Sequence, residues 1–273
     1  MRSLLRLDSW TASDVEEVFS LADEYRAGRG PMTAGAAVMF FPSTSLRTRV
    51  TFERGAALMG LQPIVLPSGT LDKPEALADV SGYLASWADI VVARHGDLGV
   101  LEGLDAPRAL PIVNAMTDEN HPCEVLADLY SLRQQRLLSG LRVVVVGADG
   151  NIARAWQEAA RVLDLDLLHC GPAGLEPSGA RATDDLDAAV RSADVIVTDG
   201  PGRHAEALAP YRVTAAHLDA APPGVLLAPC PPFERGREVS ADAIAHPAFV
   251  GHAFKKSLLP VQQAVMAFCL GLG

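Results

Sequence analysis

The stretch MFFPSTSLRTRVTFERGAALMG, residues 39–60, sets Ser45, Arg47, Thr48 and Arg49 between an apolar run and an amphipathic one. An apolar run followed by such a segment reads as a strand entering a helix. The first turn of a helix carries N–H groups with no intrahelical partner and a partial positive charge. Hydroxyls and guanidinium groups placed there form an anion pocket, with phosphate as the usual guest. Arg49 also has an intrahelical alternative, an ion pair with Glu53 at i,i+4. A second reactive-looking cluster is His121-Pro122-Cys123-Glu124, where an imidazole stands at the start of another predicted helix. Alone, such a histidine is an ordinary helix cap.

The elements that position these groups alternate. TASDVEEVFSLADEYRAG reads as a helix with capping-box spacing between Thr11 and Asp14 and a stop at Gly28. Strands are predicted at AAVMFF, QPIVLP, DIVVAR, LPIVNA, LRVVVVG, DLDLLHC, DVIVTD and GVLLAPC. Helices are predicted at TRVTFERGAALMG, KPEALADVSGYLASW, HPCEVLADLYSLRQQRL, NIARAWQEAARVL, DLDAAVRSA and KKSLLPVQQAVMAFCL, with Pro260 in the first turn of the last or kinking it. Alternation of this kind implies an α/β fold of parallel sheets covered by helices on both faces. Ligands of such sheets bind beyond the carboxyl ends of strands, so residues just after strands are the informative ones. The expected division is 1–138 plus a returning C-terminal helix, 254–273, for the first domain, and 139–253 for the second.

Composition narrows the function classes. The chain has 273 residues and a net charge of −10, which argues against a broad nucleic-acid footprint while leaving room for one local basic pocket. No run approaches the ~20 apolar residues of a membrane span, and the N-terminus has no apolar core of a signal peptide. Cys123, Cys170, Cys230 and Cys269 are scattered without a C-x-x-C, which favours reduced thiols in a cytoplasm over a disulfide frame or a zinc site. No metal or cofactor is expected.

Six motifs in order resemble the aspartate/ornithine carbamoyltransferase family. SLRTRVTFE, 45–53, resembles S-T-R-T-R-x-S-F-E, and ARH, 93–95, the family's strand-end arginine. HPCEVLADLYSL, 121–132, resembles H-P-x-Q-x-L-x-D-L, and GADGNIARAW, 147–156, the glycine and asparagine turn of the second domain. DVIVTD, 194–199, resembles the acceptor strand of the ornithine branch, and PCPPFERGREV, 229–239, resembles H-C-L-P-x-x-R-G-x-E-V.

The resemblance implies a carbamoyl-phosphate domain followed by an amino-acceptor domain, in trimers or multiples of trimers whose sites lie at subunit interfaces. It implies Ser45, the Leu46 backbone, Arg47 and Thr48 on the phosphate, and Arg94 bridging phosphate and carbonyl oxygen. His121 would donate to that oxygen, Glu124 and Lys256 would complete the donor site, and Lys73 would reach in from a neighbouring subunit. Asn151 would take the acceptor's carboxylate, Asp199 its α-ammonium, and Cys230 with Pro231 would lie near the attacking amine. A carboxylate at position 199, where the aspartate branch has arginine, favours an amine-bearing acceptor such as ornithine or a shorter, unusual diamino acid. Arg235 and Glu238 match framework positions that brace a loop.

Four positions depart from the pattern. Leu46 replaces threonine, Glu124 replaces the glutamine that reads the carbamoyl NH2, Pro229 replaces histidine, and Lys256 stands for an arginine. Arginine and lysine differ as bidentate donors. The segment GPGRHAEALAPY after Asp199 also lacks the ornithine branch's W-x-S-M-G, which opens the choice of acceptor. The competing readings are a catalytically altered homologue that uses another donor, or a non-catalytic binding protein. A nicotinamide enzyme is disfavoured because VVVVGADGNIA lacks G-x-G spacing and no acidic residue closes the next strand.

Overall fold

The computed structural model describes residues 2–273. The chain divides into two compact units, Met1–Tyr130 with Lys256–Gly273, and Ser131–Lys255. The first unit opens with α1 (Ala12–Arg26), whose Thr11–Asp14 capping box forms as its spacing predicts. There follow β1 (Gly35–Phe41), α2 (Arg47–Met59), β2 (Leu61–Pro67), α3 (Leu77–Leu84), β3 (Ile90–Arg94), α4 (Leu98–Asp105), β4 (Ile112–Met116) and α5 (Pro122–Arg133). The second unit holds β5 (Arg142–Val146), α6 (Asn151–Leu163), β6 (Asp166–Cys170), β7 (Ala182–Thr183), α7 (Leu186–Val190), β8 (Val195–Thr198), α8 (Ala205–Leu208), α9 (Ala215–Ala220), β9 (Leu226–Pro229), α10 (Ala241–Ala245) and α11 (Gly251–Lys255). The final helix, α12 (Leu258–Leu270), belongs to the first unit, with Pro260 in its first turn.

Both sheets are parallel throughout. The first has the order β2-β1-β3-β4 and the second β7-β6-β5-β8-β9. Their central strands are buried runs such as Val143–Val146, as parallel strands covered on both faces must be. In the first sheet the chain leaves β1 toward β2 on one side and leaves β3 toward β4 on the other. The crevice between the ends of β1 and β3 is therefore a topological switch point, and β5 and β8 make the equivalent point in the second sheet.

Helix α12 packs on α1 and α2, closing the first unit. Phe268 meets Trp10 edge-on at 4.8 Å, and the Gln263 amide donates to the Gly55 carbonyl at 3.4 Å. Helix α2 ends at Gly60, whose φ of +91° turns the chain into β2. A β-carbon there would lie 2.2 Å from the Thr33 carbonyl oxygen, so only glycine fits. Arg49 takes the intrahelical pair available to it, with Nε 2.9 Å from Glu53 Oε1.

Candidate active site

The residues expected to hold the carbamoyl donor gather at the first switch point. Ser45 is buried in the turn after β1, held by its N–H bond to the Pro42 carbonyl at 3.0 Å. Arg94, the last residue of β3, reaches across the crevice and donates from Nη1 to Ser45 Oγ at 3.3 Å. The β3–β4 register shifts between Ala93 and Arg94. Arg47 is the exposed first residue of α2, and its guanidinium has no hydrogen-bond or ion-pair partner among the described residues. Thr48, one residue on, is buried. Leu46 supplies the helix N-cap with its backbone alone, its side chain 67% exposed and making no cap bond.

His121 is buried immediately before α5, and Glu124 lies in the first turn of that helix at 5% exposure. The helix terminus favours a carboxylate at that position. Lys73 is exposed in the loop after β2, and Lys256 is exposed in the turn ahead of α12.

Beside Arg94 a cleft of about 200 Å³ opens at the strand ends, lined by Pro42, Ser68, His95, Thr117 and Asp118 among others. Thr117 and Asp118 are new relative to the sequence reading. They follow β4 directly, so the rule that favours residues just past strands would have found them. Thr117 is fixed by a mutual turn with Asn120, donating its N–H to the Asn120 carbonyl at 2.8 Å and accepting at Oγ1 from the Asn120 N–H at 3.0 Å. That turn leads directly into His121.

The residues expected to hold the acceptor lie at the second switch point. Helix α6 begins at Asn151 behind an extended Gly150. A β-carbon at Gly150 would lie 3.7 Å from Asp199 Oδ2, so the β5–α6 turn and the end of β8 adjoin closely. Cys230 follows β9, with its N–H bonded to the Thr198 carbonyl at 2.8 Å. This places Asp199, Cys230 and Pro231 at adjacent strand ends. Asp149 forms a two-point pair with Arg154, 2.7 and 2.6 Å. His169, near the end of β6, is buried, and that burial holds its pKa below the usual imidazole value.

The remaining thiols are packing groups. Burial pushes Cys170 up to about 12 and raises Cys123 and Cys269 further still. Among the described residues no three His, Cys, Asp or Glu side chains gather as a metal site, and no helix is long and apolar enough to cross a membrane.

Residues 2–134 match the family profile of the aspartate/ornithine carbamoyltransferase carbamoyl-P binding domain, and residues 139–269 match that of the Asp/Orn binding domain. The chain belongs to the aspartate/ornithine carbamoyltransferase family. The ornithine carbamoyltransferase of Nitrobacter winogradskyi is 33% identical to this carbamoyltransferase over 267 residues, covering 89% of this chain and 86% of that protein. That of Geobacter sulfurreducens is 28% identical over 298 residues, 98% of each chain. Among solved structures, the ornithine carbamoyltransferase from Pyrococcus furiosus superposes with a TM-score of 0.92 at 28% identity, covering 99% of this chain and 97% of that one. The two-sheet architecture expected for a carbamoyltransferase is thereby borne out, with the C-terminal helix returned to the first unit.

Proposed function

We propose that this carbamoyltransferase moves the carbamoyl group of carbamoyl phosphate to the terminal amine of ornithine or a related diamino acid, with Ser45, Arg47, Thr48, Arg94 and His121 as its donor-site residues. The observation that carries the assignment of residues is the Arg94–Ser45 contact at 3.3 Å, which joins the β1 and β3 loops over one switch point. The reaction joins the amine nitrogen to the carbonyl carbon and breaks the bond from that carbon to the phosphate oxygen. Phosphate leaves, and the proton lost by the amine ends on phosphate or buffer.

Charge grows on the carbonyl oxygen and on the departing phosphate, so preset donors to both lower the barrier. The guanidinium of Arg47, the Thr48 hydroxyl and the start of α2 face the phosphate. Arg94 bridges to the carbonyl oxygen, and His121 donates to it. On the acceptor side, Asn151 receives the carboxylate and Asp199 the α-ammonium, with Cys230 and Pro231 beside the amine that reacts. The carboxylate of Asp199 disfavours aspartate as acceptor.

The test is a turnover assay with carbamoyl phosphate and a panel of diamino acids and aspartate, scored by phosphate release and by ureido product. Product is expected with a diamino acid and not with aspartate. Binding of a phosphonate mimic without turnover of any amine would replace this reading with a non-catalytic one.

We further propose a cytoplasmic homotrimer, or a multiple of one, in which Lys73 completes a neighbour's phosphate site. The four cysteines form no disulfide, as suits a reducing compartment. An exposed apolar stripe of Leu46, Val50 and Leu58 runs along α2, and Tyr83 and Trp87 are exposed at the end of α3. Apolar surface of this extent favours burial against another chain. A chain of 28.8 kDa should then sediment at about three times that mass or a multiple of it, and a monomer at assay concentration would refute the assembly.

A further inference from the structure

Beyond Asp199 the second unit contains a cavity of about 110 Å³ whose charged wall residues are Asp199, Arg212, Arg237 and Glu238. Arg237 is engaged with Glu234 at 2.9 Å. Arg212 spends only Nε, on the Arg237 carbonyl at 3.0 Å. Its terminal N–H groups have no partner among the described residues. Glu238, 8% exposed, spends Oε1 on the Glu234 N–H at 2.8 Å, and its buried Oε2 has no hydrogen-bond partner. No ion pair joins Arg212 to Glu238, although both line the same small space.

The two are held there by backbone. Val213 bridges to Val239, with the Val213 N–H donating to the Glu238 carbonyl at 3.0 Å and the Ser240 N–H to the Val213 carbonyl at 2.9 Å. Arg212 and Glu238 therefore flank one fixed bridge. Glu238 is thus a loop brace through one oxygen and leaves the other unspent.

A buried carboxylate oxygen without a partner is unfavourable unless something arrives to meet it. An unspent guanidinium and an unspent carboxylate on two residues that line one cavity match a zwitterion, and the head of an α-amino acid is one. An α-ammonium has three N–H donors and a carboxylate about four lone-pair sites, more than one aspartate and one asparagine satisfy. We infer that Arg212 and Glu238 are specificity-determining residues for the acceptor, Arg212 taking a share of its α-carboxylate and Glu238, with Asp199, its α-ammonium. This rests on the carbamoyl-transfer reading and extends it: the acceptor must be an intact α-amino acid, and a simple diamine is refused.

The test compares ornithine with two truncated analogues, 1,4-diaminobutane, which lacks the carboxylate, and 5-aminopentanoate, which lacks the α-ammonium. Each is measured as substrate or competitive inhibitor of the wild type, Arg212→Gln and Glu238→Gln. Arg212→Gln is expected to raise the KM for ornithine about 10- to 100-fold while leaving 1,4-diaminobutane within about twofold. Glu238→Gln, which keeps an oxygen for the Glu234 N–H, is expected to weaken ornithine by a similar factor and to leave 5-aminopentanoate unchanged. The KM for carbamoyl phosphate should stay constant in both. Equal losses on ornithine and the matching analogue, or a shifted donor KM, would show that these residues only brace the loop and would overturn the inference. If the wild type turns over no amine at all, the carbamoyl-transfer reading falls. Calorimetry with ornithine then decides the cavity separately: binding by the wild type and loss in Arg212→Gln upholds it, and no binding ends it.

Discussion

Replacing Arg47 by alanine is expected to lower kcat/KM for carbamoyl phosphate by about 10²- to 10³-fold, the usual cost of removing one preset donor from a developing anion. Two observations make this a clean test. Arg47 is exposed, and its guanidinium has no partner among the described residues, so its loss should leave the melting temperature almost unchanged. It also occupies the first position of α2, where its charge adds to that of the helix terminus. Arg49 is the internal control. Its guanidinium is engaged with Glu53 at 2.9 Å, so Arg49→Ala should cost stability on the scale of a surface pair and far less turnover. On the donor-side role proposed for Arg47, the KM for the amine acceptor should hardly move. Turnover within a few-fold of wild type would remove Arg47 from the site and, with it, the phosphate cradle at this helix start.

What the sequence made legible divides along a physical line. Thr11 and Asp14 announce α1 because a capping box is wholly local. The runs Val38–Phe41 and Val143–Val146 announce buried parallel strands because no polar residue interrupts them. Ser45, Arg94, His121 and Asp199 stand out because each ends or soon follows a predicted strand or opens a predicted helix.

The helix α4, Leu98–Asp105, does not stand out: it is short and carries Gly99 and Gly103, which oppose helix by propensity. Gly103 is tolerated because Leu77 packs where its side chain would be, at 2.6 Å from a β-carbon position. The two-residue β7 and the short helices α9, α10 and α11 have too few residues to show a period. The juxtaposition of Arg212 and Glu238 on one cavity has no local sign either. It exists only because an isolated bridge brings Val213 to Val239 across the fold. Residues that act through tertiary juxtaposition leave no spacing to read.

Glu124 is where the family pattern and electrostatics conflict most, and Glu124→Gln is expected to tighten carbamoyl phosphate binding by up to about 100-fold. A carboxylate ~5 Å from a phosphate charge costs about 3 kcal/mol at an effective dielectric of ~20, which is that factor in affinity. The carboxylate is buried in the unliganded protein. It lies in the first turn of α5, where the helix terminus favours negative charge, and it is nearly inaccessible to water. Burial weakens screening by salt, so the repulsion persists at physiological ionic strength. A glutamine variant that binds the donor more tightly would show that Glu124 is a carboxylate held against its ligand's charge. A variant that loses turnover more than about tenfold would reverse the assignment: the negative charge would then be receiving a cationic or doubly donating group, and the preferred donor would differ from carbamoyl phosphate.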